Sequence, residues 1–356
     1  MRAKTRIRQP ASVYMTRPAK TAFALLLLAA MALAFVSCTP REQRFSMSWF
    51  DYFDTVITLT VYADDRAVFG EMSGKTGECF ERYHRLFDIY NEYEGVNNLA
   101  SVNRMAGEEV AVDADVIELL MLGREYERLT DGALNIAMGA VLKLWHDARE
   151  NAAKDPQNAS IPDEDALRAA AQHCDIDKMI IDAERSTVTL LDAEMSVDVG
   201  AIAKGYAADR AADILKGYGC PFLLNCGGAV LAYGVKPDGE SWTAGILDPS
   251  GTGFIETVDV SDTALSTSGS YLRTFSAGGR DYGHIIDPAT LMPADKTVSM
   301  SVMIPADAGA CFADALSTAC FILGPERAAE LLAAAEGAEG IFVGGSGKTS
   351  HIGKKR

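Results

Sequence analysis

From residue 222 onward, short apolar runs alternate with glycine-rich turns, and this rhythm constrains the fold more than any other feature of the chain. The runs 222–225, 230–234, 242–247, 257–260, 271–275 and 298–304 are rich in β-branched and aromatic residues, so strands are expected there. On either side of this region, apolar residues recur at helical spacing. Helices are expected over 74–89, 115–130, 136–148, 162–173, 203–217, 313–323 and 326–335. Further strands are expected at 53–62, at 340–343, and in a hairpin of 188–191 with 195–199. Residues 91–107 read as loop and 151–160 as a polar linker or excursion. Such a mixture predicts an α+β protein of mixed, largely antiparallel sheets with flanking helices, not a doubly wound βαβ array. No Gly-x-Gly-x-x-Gly follows a strand and opens a helix, which argues against a Rossmann nucleotide site.

The N-terminus follows a different logic. Arg2, Lys4, Arg6, Arg8, Arg17 and Lys20 come before any acid, and an apolar run, 21–36, then stops at Ser37-Cys38. A basic start, a short apolar stretch and a small residue before the break describe a secretory signal. The run is marginal for a membrane-spanning helix, which needs roughly 20 apolar residues. Phe35-Val36-Ser37-Cys38 looks like a lipobox, the bacterial motif whose cysteine is acylated with palmitate-class chains and becomes the new N-terminus. Ordinary cleavage with an unmodified Cys38 is the alternative. Acyl chains contribute roughly 0.8 kcal/mol per buried CH₂, so a multiply acylated Cys38 anchors firmly. Met15 is a second candidate start, and both starts give export. The expected organisation is a lipoprotein signal peptide at 1–37, a tether at 38–48, a functional domain at 49–350 with room for two intertwined subdomains, and a tail at 351–356. The expected location is extracytoplasmic and lipid-anchored, at the periplasmic face of the inner membrane in a Gram-negative cell.

Removing the signal leaves 27 Lys/Arg against 49 Asp/Glu, which moves the formal net charge from −16 to −22. Nucleic acid is thereby disfavoured as a partner, because its binding depends on Lys/Arg meeting phosphates. An anionic ligand would need a metal or a locally positive pocket. The seven cysteines show no CxxC or Cys/His zinc spacing, so no structural zinc is expected and most read as small buried hydrophobes.

Three clusters carry chemistry. Asp198 to Asp209 places a carboxylate and small residues at a strand-to-helix junction, where helix amides favour phosphate and Lys204 adds a cation. Asp198 as a plain helix cap with a solvated Lys204 reads equally from the same residues. Asp314 and Thr318 are i and i+4 on one helical face, two hard oxygen donors suited to Mg²⁺; a capping Asp and a back-bonded Thr are the alternative. His284, ahead of Asp287-Pro288, is either a satisfied core histidine or a general base.

In this order the segments resemble the ApbE family of FAD:protein FMN transferases. The resemblance runs from about Phe53 to Leu323. It rests on FDTVITL at 53–59, YEGVNNLASVN at 93–103, DGALNIAMG at 131–139, LW at 144–145 and VDVGAIAKGYAAD at 197–209. LLNCGG at 223–228, TSGSYLR at 267–273, HIIDP at 284–288 and ADALSTACFILG at 313–324 complete it. The resemblance implies an ApbE-like fold and transfer of the FMN half of FAD to a Thr or Ser hydroxyl of an acceptor flavoprotein, with release of AMP. It implies Mg²⁺ on Asp314, Thr318 and the backbone carbonyl of Ala201, and His284 as the base. FAD, here a substrate, would be contacted by Phe53, Tyr93, Ala133, Leu134, Asn135, Asp198, Lys204 and Ile286. Phe53-Asp54-Thr55 stands for the family's Met-Gly-Thr, Ala133-Leu134-Asn135 for Ala-Phe-Asp, Lys204 for Glu, and Leu291 for the Gly after the Asp-Pro turn. The same sites would also serve an FAD pyrophosphatase, a flavin-binding lipoprotein or a non-catalytic solute-binding lipoprotein.

Overall fold

The computed structural model describes residues 43–353 except 272 and 346, so the signal peptide, Cys38 and the end of the tail lie outside the described residues. Its first half contains β1 (Gln43–Trp49), β2 (Ile57–Ala63), α1 (Arg66–Phe87), α2 (Leu99–Arg104), β3 (Glu109–Ala111), α3 (Ala114–Leu129), α4 (Gly139–Lys154), α5 (Glu164–Ala171), β4 (Met179–Asp182) and β5 (Thr187–Leu190). Then come α6 (Ala203–Lys216), β6 (Phe222–Cys226), β7 (Ala229–Tyr233), β8 (Trp242–Leu247), β9 (Phe254–Val260), β10 (Thr263–Gly269), β11 (Phe275–Ala277) and β12 (Arg280–Tyr282). β13 (Ser299–Pro305), α7 (Ala310–Leu323), α8 (Pro325–Ala334), β14 (Glu339–Val343) and β15 (Thr349–Ile352) follow.

Eight strands form one antiparallel sheet in the order β1-β2-β6-β7-β10-β13-β14-β15. Side chains alternate across it, so each strand offers one row to each face. Ile57, Leu59, Val61, Leu224, Leu231, Ala264, Met300 and Val302 belong to the buried core shared with the helices, among which α6 and α7 lie against each other. On the other face Val230, Ala232 and Leu265 meet Trp242, Ala244 and Val260 of the β8–β9 hairpin. β8 alternates buried and exposed residues along its whole length, as a ribbon with one covered face must.

Helix α7 is the element that positions the site. It packs on β10 and β13 and against α6, which is why it is apolar nearly all round. The approach to α6 is close at Gly205, where a Cβ would stand 2.4 Å from the carbonyl oxygen of Ala310. Gly309 at the start of α7 brings no capping side chain, and Asp209 of α6 does that work: its carboxylate accepts the N–H of Ala310 (2.6 Å) and of Cys311 (2.9 Å).

The structure corrects several expectations. Residues 43–48 were expected to belong to a tether, but with Trp49 they form β1, paired with β2 from Gln43↔Ala63 to Trp49↔Ile57. Only Phe45, stacked on Phe69, and Trp49, tilted against Phe80, reach the core from this edge strand, so the sequence looks like a linker. His351 and Ile352, expected in a tail, pair with β14 as part of β15. The partners of 187–190 are Met179–Asp182 on one side and Glu109–Ala111 on the other, not 195–199. The 195–199 stretch has only a bridge from Ser196 to Met138, and the Asn103 side chain satisfies both main-chain groups of Val197. Strand β10 replaces the expected strand at 271–275, its Ser/Thr content having hidden it. The polar excursion is partly the last turn of α4.

Burial pushes the Asp209 carboxyl up to about 6, against the pull of its two amides. The folded pKa lies above the unfolded value, so this contribution to stability is fully present below about pH 4 and is lost as pH rises through about 6. Asp209→Ala strands two buried amides and is expected to cost about 2 kcal/mol or more, read as a lower melting temperature. Asp209→Asn keeps an acceptor without the charge. Urea melts from pH 4 to pH 7 should show wild type losing up to about 3 kcal/mol relative to this variant; parallel profiles would refute the assignment.

Candidate active site

The residues around α6 and α7 share hydrogen bonds in an irregular way. The N–H of Asp198 donates to the carbonyl of Ile136 (2.8 Å), and its Oδ1 accepts the N–H of Gly200 (2.8 Å), which closes the turn ahead of α6. Gly205 lies in the first turn of α6, where an amide has no acceptor within its own helix, and its N–H donates to Oδ2 of Asp314 (3.2 Å). Among the described residues the Ala201 carbonyl, just ahead of the helix, has no main-chain partner. Asp314 is nearly fully buried and also accepts, at Oδ1, the hydroxyl of Ser266 (2.8 Å). Lys204 lies 3.6 Å from Oδ2 of Asp314 and donates to the carbonyl of Gly200 (3.0 Å). A buried carboxylate needs such company. Thr318 follows one turn later on the same face of α7.

A second wall is the arm from His284 to Leu291. Asp287 folds it back, with its carbonyl accepting the N–H of Leu291 (2.8 Å) and its Oδ1 the N–H of Ala289 (2.8 Å). Leu291 is left-handed, at φ 60°, and its carbonyl accepts the Trp145 indole N–H (2.9 Å). Ile286 packs with Met138, Val141 and Trp145. The third wall is the turn before β2, where Phe53 and Asp54 are both left-handed (φ 54° and 49°). The Phe53 N–H donates to Nδ1 of His84 (3.3 Å), and Arg273 donates to the Asp54 carbonyl (3.4 Å).

These walls enclose a cavity of about 610 Å³. Phe53, Ala133, Leu134, Asn135, Asp198, Ala201, Lys204, His284, Ile286, Asp314 and Thr318 all line it. Tyr93 does not: its hydroxyl donates to Asp88 (2.8 Å), which lines the cavity in its place. Asn135 is committed at both ends of its amide, donating to the Cys174 carbonyl (3.0 Å) and accepting the Ala137 N–H (2.8 Å). A carboxylate could not make the first of these bonds, so the amide braces the wall. Sequence reading missed Arg149, Arg273 and the stacked pair Tyr90 and His146 (ring centroids 4.9 Å apart), which also line the cavity. Arg273 sits inside the TSGSYLR segment, a signal that was there to use; Arg149 on a polar helical face gave none.

The cavity brings Arg149, Lys204 and Arg273 together with four carboxyls, Asp54, Asp88, Asp198 and Asp314. Burial pushes the His284 imidazole down to about 4, with Arg273, Arg149 and Lys204 adding to the effect. The ring is therefore neutral at pH 7 and able to take a proton. Its buried Nδ1 has no hydrogen-bond partner among the described residues. Desolvation raises the carboxyl of Asp198, half-buried in the cavity wall, against the Gly200 amide and Lys204. Among the described residues no group of three or more His, Cys, Asp or Glu could hold a metal ion. The local donors are one carboxylate, one hydroxyl and one unengaged carbonyl, all hard oxygens. That set suits a cation that takes one or two carboxylates and completes its shell with water and phosphate.

The sequence profile of the ApbE family matches residues 53–342. The FAD:protein FMN transferase of Treponema pallidum is 38% identical over 307 residues, which cover 81% of this chain and 82% of that protein. Its counterpart in Klebsiella pneumoniae is 29% identical over 291 residues, covering 81% and 85%. Among solved structures, the ApbE protein of Thermotoga maritima superposes with a TM-score of 0.77 at 26% identity, over 87% of this chain and 97% of that one. The flavin transferase ApbE from Vibrio cholerae gives 0.72 at 23% identity, over 88% and 98%, a likeness of fold.

The histidine at 284 is expected to titrate far below an ordinary imidazole. Its folded pKa lies below the unfolded value of about 6.5, so the stability of the buried neutral ring is lost as pH falls from there toward about 4. NMR of ring-labelled protein, with the resonance assigned by its loss in His284→Gln, should give a midpoint near 4. A midpoint above 6 would show that the ring is not desolvated as described.

Proposed function

The chain belongs to the ApbE family, and from that premise we propose that it is an Mg²⁺-dependent FAD:protein FMN transferase acting on acceptor flavoproteins outside the cytoplasm. The observation that carries this reading is the convergence of a neutral, half-buried histidine, three cationic side chains and a hard-oxygen donor set on one cavity of an acidic protein. Lys204, Arg149 and Arg273 give a pyrophosphate cationic partners beside the cavity's own carboxyls, Asp54, Asp88, Asp198 and Asp314, and a bound divalent cation would add to them.

Asp314, Thr318 and the carbonyl of Ala201 would hold Mg²⁺, which when bound offsets the charge that builds on the pyrophosphate during transfer. Lys204, Arg149 and Arg273 draw the phosphates in. His284 removes the proton from the acceptor Thr or Ser hydroxyl, and that oxygen forms a bond to the phosphorus of the FMN half. The bond from this phosphorus to the bridging oxygen breaks, and AMP leaves with the electron pair. Burial is the larger cause of the lowered His284, and entry of the anionic phosphates offsets the lesser one, the nearby cations, which raises its basicity when the substrate is in place. The lipobox-like segment supports export and anchoring through acylated Cys38.

The test is mass spectrometry of extracytoplasmic acceptor domains after incubation with the purified protein, FAD and Mg²⁺. A mass gain of one FMN is expected, slowed roughly 10²–10⁴-fold in His284→Ala and abolished in Asp314→Ala with the circular dichroism unchanged. Free FMN and AMP formed without any acceptor would convert the reading to an FAD pyrophosphatase. FAD binding without turnover, equal in wild type and Asp314→Ala, would make it a flavin-binding lipoprotein. For the anchor, the N-terminal peptide is expected to carry acyl chains that disappear in Cys38→Ala.

A further inference from the structure

We propose that Ser266 and Ser268 of β10 are positioning residues that set Asp314 and Thr318 as cation ligands; this rests on the reading above that a divalent cation binds there. Ser266 and Ser268 share a row with Ala264, on the sheet face that α7 covers. Apolar side chains dominate that layer, yet Ser266, Ser268 and Ser317 are buried in it. Buried hydroxyls are costly unless bonded, so their presence calls for partners.

The partners follow from two repeats that nearly coincide. Alternate residues of a strand are about 6.8 Å apart, and residues i and i+4 of a helix rise by about 6 Å. Ser266 therefore meets Asp314 and Ser268 meets Thr318, at 2.8 and 3.1 Å. Ser266 has only its own proton to offer the ionised carboxylate, so it donates to Oδ1 and fixes the rotamer of Asp314.

The remaining protons can be placed one by one. Ser317 donates to the main-chain carbonyl of Asp314 (3.0 Å). Its other contact as donor, 3.4 Å to Ser266, would use the same proton. In the 2.9 Å contact between Ser317 and Ser268, Ser268 must then be the donor. With that proton committed, the 3.1 Å contact between Ser268 and Thr318 requires Thr318 to donate. Each hydroxyl proton along this chain is thereby committed to a neighbour within the protein. Thr318 is left presenting lone pairs, the form in which a hydroxyl can ligate a cation.

The test is titration of the purified protein with Mn²⁺, followed by electron paramagnetic resonance. Ser266→Ala and Ser268→Ala are each expected to weaken Mn²⁺ binding roughly 10–100-fold, as loss of a partner that orients a metal ligand does. Turnover with FAD and acceptor should return to within a few-fold of wild type when Mg²⁺ is raised by the same factor. Ser301→Ala is the control. It removes an equally buried hydroxyl that bonds Thr267 (2.8 Å), and Mn²⁺ affinity should not change. Ser266→Cys keeps the volume and weakens the donor, so it serves where the alanine variant does not fold. Wild type that binds no Mn²⁺ overturns the cation reading and this inference with it. Wild type that binds, beside serine variants that bind equally well, overturns the inference alone. So does a Ser301→Ala variant that loses as much affinity as they do.

Discussion

The close contact of α6 with α7 at Gly205 is the constraint on which the rest depends. No side chain separates the two helices there, so the start of one can hydrogen-bond the side chains of the other in both directions. Asp209 of α6 takes the first amides of α7, and Asp314 of α7 takes an early amide of α6. These exchanges lock the helices in register. They also give the first-turn Gly205 amide, which has no acceptor in its own helix, a partner in Asp314. One glycine thereby supplies both the close packing and an amide for the buried carboxylate.

Electrostatics then separates this corner from the rest of the surface. A buried carboxylate at Asp314 is tolerable only because Ser266, the Gly205 amide and Lys204 surround it. Burial above all lowers the His284 imidazole, and the same lysine, with Arg149 and Arg273, adds to the effect. Cations gathered for an anionic substrate thus serve a second purpose before it arrives, helping burial to hold the histidine unprotonated.

Helices and the rims of the cavity were legible in the sequence where a period or a motif was strong. The Asp314/Thr318 spacing, the Asp198–Lys204 junction and the His284–Pro288 turn are local features, and local features survive without coordinates. Strand β10 was not legible, because ALSTS lacks the bulky alternation that marks a strand, and its serines are explained only by what α7 places opposite them. β1 failed for a similar reason: its place is set by the ladder to β2, and only two of its side chains announce a core. Tyr93 illustrates the limit of carrying a contact over by resemblance. The residue is near, but its hydroxyl is occupied by Asp88 and the cavity wall lies one layer further in.

Two left-handed turns have a further consequence. Asp54 and Leu291 occupy positions where the related pattern has glycine, and both keep positive φ. An ordinary side chain such as that of Leu291 costs roughly 1–2 kcal/mol in this region and Asp less, so the bend is kept without the residue that makes it easy. Neighbours hold it: His84 and Arg273 clasp the first turn, Trp145 the second. Leu291 recovers part of its cost by packing beside Ile286, whereas Asp54 is exposed and has no such compensation. For an engineer, position 54 is therefore a reserve of stability, where glycine would relax the backbone and keep the clasps while taking one carboxyl out of the cavity lining.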